Sequence, residues 1–149
     1  MEFRIPLPLV LEHEELHVEL AKATKAAGRI GSAAQAVAKL LHPHFVKEEA
    51  VALPPLGLLS ALAEGKITPE MRDALAMTDR LQAELAEMLE EHKAIVGALQ
   101  ELAAAAKQER KREYERFAEK LVLHTQTEEQ VLYPTALLIG EYLKTKLGS

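Results

Sequence analysis

The sequence predicts an all-α chain: an up-down-up-down antiparallel four-helix bundle with a short extra C-terminal helix. Three observations lead there. Ala, Leu, Glu and Lys dominate and β-branched runs are few, a composition that costs little to hold in a helix. No segment alternates apolar and polar residues over a strand's length. The two halves of the chain also repeat one another, so two αα-hairpins can pack about a pseudo-twofold axis. Residues 1–149 are expected to form a single domain, long enough to bury a full core.

The first helix is expected from about Pro8 to Gly28, with Leu9, Leu16 and Leu20 on one face. Gly28 and Gly31 bracket a turn, and Ser32 is placed to cap the second helix. That helix runs to about Leu53 and ends at Pro54-Pro55, with Pro43 expected to kink it. Leu56–Lys66 reads as a connector with one or two helical turns, and Thr68-Pro69-Glu70 as a helix start. From Glu70 to Tyr133 only Gly97 interrupts the helix formers. One helix of that length would span roughly 100 Å at ~1.5 Å per residue, too long for a domain of this size. A break is expected in Gln108–Glu115, whose mixed charges suit a solvated helix end. Pro134 ends or kinks the fourth helix, and Thr135–Leu147 forms the last.

Composition removes several function classes. There is no Cys, which excludes disulfides, thiolate zinc sites, iron–sulfur clusters and Cys nucleophiles. There is no Trp and aromatics are 4%, too few for base-stacking platforms. A net charge of −5 argues against nucleic-acid or anionic-membrane partners. The longest uncharged run, Ala50–Ala63, holds two prolines and falls short of the ~20 residues of a membrane helix. The N-terminal stretch does not read as a secretory signal, so a cytoplasmic protein is expected.

The repeat carries the chemistry. His44 to Pro54, HFVKEEAVALP, aligns with His124 to Pro134, HTQTEEQVLYP. Both read H-x3-E-E-x-V-x-[LY]-P, and Glu12-His13 upstream aligns with Glu91-His92. His13 and His44 are 31 residues apart, His92 and His124 are 32. His and Glu at i, i+4 point the same way on a helix. Apolar residues share each sector: Phe117, Leu121 and Val131 around His124 and Glu128; Val37, Leu41 and Val51 around His44 and Glu48; Leu85, Leu89, Val96 and Leu99 around His92; Leu9, Leu16 and Leu20 around His13. Four imidazoles and two carboxylates converging on one interior are costly without positive partners between them. Two divalent cations would satisfy them, with both carboxylates free to bridge. Imidazole and carboxylate donors suit Fe, Mn, Zn, Ni or Cu, and the residues alone do not choose.

At these residues the sequence resembles the hemerythrin-like, or HHE cation-binding, family, over nearly the whole chain, from His13 to Pro134. The resemblance implies a four-helix bundle holding a non-haem di-iron centre with an oxo or hydroxo bridge. It implies His13, His44, His92 and His124 as terminal ligands and Glu48 and Glu128 as bridges. Iron is then the expected metal, with Zn, Mn or Ni as substitutes. Oxygen-carrying hemerythrins use H-x3-H on the third helix and Asp on the fourth; here those positions are Val96 and Glu128. The chain therefore looks like the broader bacterial branch, linked to oxygen or nitric oxide response, iron handling and repair of iron centres. A small diatomic ligand is the expected partner, and a homo-oligomer stays open.

Several residues carry two readings. His17 makes an H-x3-H with His13 and is either a fifth ligand or a supporting histidine. His13-Glu14-Glu15-Leu16-His17 also matches the H-E-x-x-H zinc metallopeptidase signature, but without a sheet to hold a peptide. An enzyme that turns over on the di-iron centre is the other alternative to a binding or sensing module. His42 is expected to be exposed. Glu49 and Glu129 read as solvated acids or as ligand-orienting groups, and Tyr133 as a core packer or a hydrogen-bond donor to the site.

Overall fold

The computed structural model describes residues 1–148, and the described residues contain helices and no strand. The α-helices are α1 (Leu7–Thr24), α2 (Gly28–Lys47), α3 (Leu59–Ala63), α4 (Leu75–Gln108), α5 (Arg112–Thr127) and α6 (Tyr133–Leu147). Pro8 sits in the first turn of α1, where its missing N–H costs nothing. The second helix begins at Gly28, ahead of the expected cap at Ser32. Gly31 is no turn residue but a buried point of contact: a Cβ there would collide with the Ala26 carbonyl. α2 passes through Pro43 without ending.

Two π-helical turns, Glu48–Ala52 and Glu128–Leu132, follow α2 and α5 at matching places in the repeat. In each the backbone N–H of the residue before proline, Leu53 or Tyr133, donates to the carbonyl of the site glutamate, Glu48 or Glu128. A proline in an α-helix clashes with the carbonyl four residues back; widening the turn relieves that. The chain therefore does not stop at Pro54 or Pro134. It continues as a 3-10 turn, Pro54–Leu58, in one half and directly as α6 in the other.

Pro69 opens a 3-10 turn, Pro69–Ala74, that leads into the 34-residue α4. The expected break falls at Glu109–Lys111. Lys111 N–H donates to the Ala106 carbonyl at 2.8 Å around Arg110, whose φ is 58°. This is a left-handed helix stop built on Arg where Gly is usual.

Cross-helix pairs define the packing. Going up α1, Glu12, Glu15, Glu19 and Lys22 meet, going down α5, His124, Lys120, Lys120 and Glu113. Between α2 and α4, Arg29 meets Gln108, while His44 and Lys47 meet Glu91. One apolar cluster holds Leu16, Leu20, Val37, Leu41, Ile95, Leu99, Phe117 and Leu121. A second holds Val51, Leu56, Leu81, Met88, Tyr133, Ile139 and Leu143. In α1 and α4 the first cluster follows the site histidine, and in α2 and α5 it precedes it. A layer of histidine and glutamate thus lies between two dry clusters. Two sector assignments change: Ile95 takes the buried place beside His92 that Val96 was expected to fill, and Val131 is 53% exposed, while Leu9, Leu85 and Leu89 are half-buried against the second cluster. No helix among the described residues is long and apolar enough to cross a membrane.

Candidate metal centre

Four histidines and two glutamates occupy the layer between the clusters. His13, His44, His92 and His124 are all buried, as are Glu48 and Glu128. Their donors fall into two groups, each with its atoms within 4.8 Å of one another: His44, Glu48, His92 and Glu128 in one, His13, His124 and Glu128 in the other. α2 and α4 supply the imidazoles of the first group, α1 and α5 those of the second. Glu128 belongs to both. Its Oε1 lies 3.2 Å from His92 Nε2, and its Oε2 lies 3.1 Å from His124 Nε2 and 3.8 Å from His13 Nε2. Glu48 joins only the first group, 3.4 Å from His44 Nε2.

Every imidazole is held from behind by a carboxylate on another helical segment. His44 Nδ1 meets Glu91 at 2.9 Å, His92 Nδ1 meets Glu129 at 2.9 Å, His13 Nδ1 meets Glu49 at 3.5 Å, and His124 Nδ1 meets Glu12. Lys47 anchors Glu91 at 2.8 Å, and Phe45 stacks on His13 with centroids 4.2 Å apart. A carboxylate accepting from Nδ1–H leaves the Nε2 lone pair facing inward, the tautomer a metal requires.

The electrostatics point the same way. Burial, and Glu128 beside it, hold Glu48 well above the usual carboxylate range. Burial opposes ionisation of Glu128 as well, but the Glu48 carboxyl and the imidazoles of His124, His13 and His92 hold it well below that range. Between them the pair keeps a proton that a cation would displace. Burial lowers His44. It acts against His92 and His124 too, yet the Glu128 carboxylate raises both.

The donors fit a bound cation. Glu48 Oε1 and Glu128 Oε2 are buried and make no hydrogen bond. Orphaned carboxylate oxygens in a dry interior cost on the order of 1–3 kcal/mol each, more when charged. Oxygen and Nε2 lone pairs converge here on shared space, His13 Nε2 lying 3.3 Å from His124 Nε2, and such lone pairs are what coordination would use.

Tyr133 reaches the centre. It is fully buried, and its hydroxyl donates to Glu48 Oε2 at 2.8 Å while lying 3.2 Å from His92 Nε2 and 3.3 Å from His44 Nε2. Burial and the two carboxylates raise its pKa, so the proton stays on the oxygen. The packing reading of Tyr133 is therefore incomplete. So is the reading of Glu49 and Glu129 as solvated acids, since both touch histidine. Glu12 and Glu91 were legible only as the first letters of the two E-H dipeptides. His17 stands in neither donor group; it is half-buried, 4.9 Å from the Phe45 ring and 5.2 Å from that of His42. Burial lowers its pKa, with His42 and His13 adding to the effect. His42 is exposed, as expected.

A helical bundle with inward histidine and glutamate clusters defines a cation-binding domain. The chain belongs to the hemerythrin HHE cation-binding family, whose pattern it matches over residues 8–136. No curated protein and no solved structure matches it.

Proposed function

We propose that this domain holds two iron ions side by side, bridged by carboxylate, and that it binds or senses a small diatomic ligand, oxygen or nitric oxide, or handles iron. The observation that carries this reading is the sharing of Glu128 between two donor groups, each completed by two histidines from different helices. The reading includes one domain in which α1, α2, α4 and α5 run up, down, up and down. The reversed order of the α1–α5 and α2–α4 pairs supports that path.

His44, Glu48 and His92 would hold one ion, His13 and His124 the other, with Glu128 between them. A reduced iron pair, when bound, supplies two electrons to a small ligand. The chain's part is to set the stage for it. Glu12, Glu49, Glu91 and Glu129 hold the rings from the Nδ1 side, so that Nε2 is the nitrogen turned toward the ion. Tyr133 fixes Glu48 on the first ion's side, so the two positions are unequal by construction. The flanking clusters of Leu, Val and Phe keep bulk water out. A second reading, reductive turnover on the same centre, is favoured by the Tyr133 hydroxyl, a buried O–H fixed inside the layer as a hydrogen-bond donor.

Metal analysis of protein purified without chelator, and after iron reconstitution, tests the central reading. Two irons per chain are expected. Glu48→Ala combined with Glu128→Ala should abolish the pair; retention of both irons in that variant would show the bridge assignment to be wrong. Mixing reduced protein with oxygen or nitric oxide in a stopped-flow cell separates the two roles: a reversible adduct marks the module, repeated turnover the enzyme.

A further inference from the structure

A cavity of about 260 Å³ lies against His13, between α1 and the segment Glu49–Leu53. Its floor is His13 and Leu53, both buried; its mouth carries Glu14 and Glu49, both exposed, with half-buried His17 between. All three chemical letters of the H-E-x-x-H sequence therefore line one cavity, although only His13 belongs to a donor group.

We propose that this cavity is the port through which divalent cations enter and leave the centre, with Glu14, His17 and Glu49 passing the ion to His13. The proposal rests on the six inner residues being the cation site. A cation crossing from water to a dry layer loses its hydration shell, and that loss is affordable only if protein donors replace the waters step by step. The lining supplies such a series. Two carboxylates at the mouth raise the local cation concentration. His17 lies one helical turn from His13 on the same face of α1. Glu49 Oε1 stands 3.5 Å from His13 Nδ1, a long contact that leaves its carboxylate able to turn. His42, across from His17 on α2, adds a further imidazole outside the mouth. A second cavity, of about 330 Å³, touches His92 and offers a different lining: Lys93, the amides of Gln100 and Gln126, and Val96 and Val122. Its one carboxylate, Glu129, is already bonded to His92. An ammonium and amides do not draw in a cation.

Microscopic reversibility separates a port residue from a ligand. A port residue changes entry and exit by the same factor and leaves the equilibrium alone; a ligand changes the equilibrium. The experiment follows Co(II) release from loaded protein into excess chelator, and Co(II) uptake after chelation, by the cobalt absorption bands. In the double variant Glu14→Gln, His17→Ala both rates should fall about tenfold, with two ions per chain and the dissociation constant unchanged. Unchanged rates would overturn the port. So would a lower stoichiometry or affinity, which would make His17 a ligand. Val10→Trp, at the cavity wall, gives an independent plug and should slow both rates. Gly97→Leu fills the second cavity, where a Cβ at position 97 meets nothing within 4 Å, and should slow neither. Slowing by Gly97→Leu instead would move the route to the His92 side and reject the proposal. A wild-type chain that binds no cobalt would fail the six-donor reading and the port together, whereas normal binding with unaltered kinetics fails the port alone.

Discussion

At the level of single residues, the centre is a set of pairings between side chains from different helices. Each inner histidine faces inward through Nε2 and outward through Nδ1, and the outer partner decides which nitrogen carries the proton. Glu91 shows the arrangement most fully: one oxygen accepts from His44 Nδ1 at 2.9 Å, the other from Lys47 at 2.8 Å. Burial would raise its pKa, but Lys47 and His44 outweigh that and hold it below the ordinary value. It therefore stays ionised where a solvated acid would begin to protonate. Glu91→Gln keeps the shape and removes the charge. Cation affinity should drop by about 10- to 100-fold with the number of sites preserved, as read by competition titration against a chelator of known affinity. An unchanged affinity would mean that the outer carboxylates only decorate the bundle. The inner cluster of histidines and glutamates was legible in the sequence because i, i+4 spacing and apolar neighbours fix which face each His and Glu takes. The outer set was not, because Glu12 with His124 or Glu91 with His44 are partners 112 and 47 residues apart.

At the level of elements, the two π turns decide what reaches the centre from beyond the glutamates. At ~100° per residue an α-helix would put Tyr133 about 140° from Glu128, outside the layer. An i+5 hydrogen bond brings the fifth residue nearly over the first. That is why Tyr133 points at Glu48. Gln130 is exposed within this turn, so it provides a clean test. Gln130→Ala should change stability by no more than about 0.5 kcal/mol. Deleting Gln130 closes the wide turn to an α-helical one: Tyr133 then stands four residues after Glu128, about 40° away, and Ala136, Ile139 and Leu143 keep their face. Replacing Gln130 by Ala-Ala adds a residue and should rotate them about 100° off the core, at a cost of at least about 3 kcal/mol in denaturant unfolding, given the apolar area they bury. Equal stability of that insertion would show that the phase set by the turn does not matter to the core. Prolines 54 and 134 mark where these turns end, but proline alone reads as a helix stop, and only the continuing chain shows that the helix widens instead. The α4–α5 break follows the same logic. A charged run located it, while the left-handed residue that makes it, Arg110, carries no local signature.

At the level of the whole molecule, the polar layer splits the core into two clusters, and cation binding is the term that joins them. Loading should raise Tm, since an ion that binds only the folded state adds about 2.7 kcal/mol at a free concentration of one hundred times its dissociation constant. The sign of the pH dependence follows from the imidazoles. Burial favours the neutral rings, yet the Glu128 carboxylate holds His92 and His124 above the ordinary value of 6.5. Their protons thus compete with the cation from above that pH downward. The Tm difference between loaded and chelated protein should be largest in mild alkali and should shrink as pH falls through 6.5, as followed by calorimetry at a series of pH values. A gap that stayed constant into acid would exclude imidazole as the main donor. By itself the sequence determined the helical class, the inward-facing histidines and glutamates and their duplicated spacing, because these depend on local periodicity. Only the tertiary structure decided that Glu128 stands in both donor groups, that Tyr133 enters the layer, and which carboxylate stands behind which histidine. Those choices depend on how helices distant in the chain are rotated and staggered against one another, and a linear pattern does not specify that.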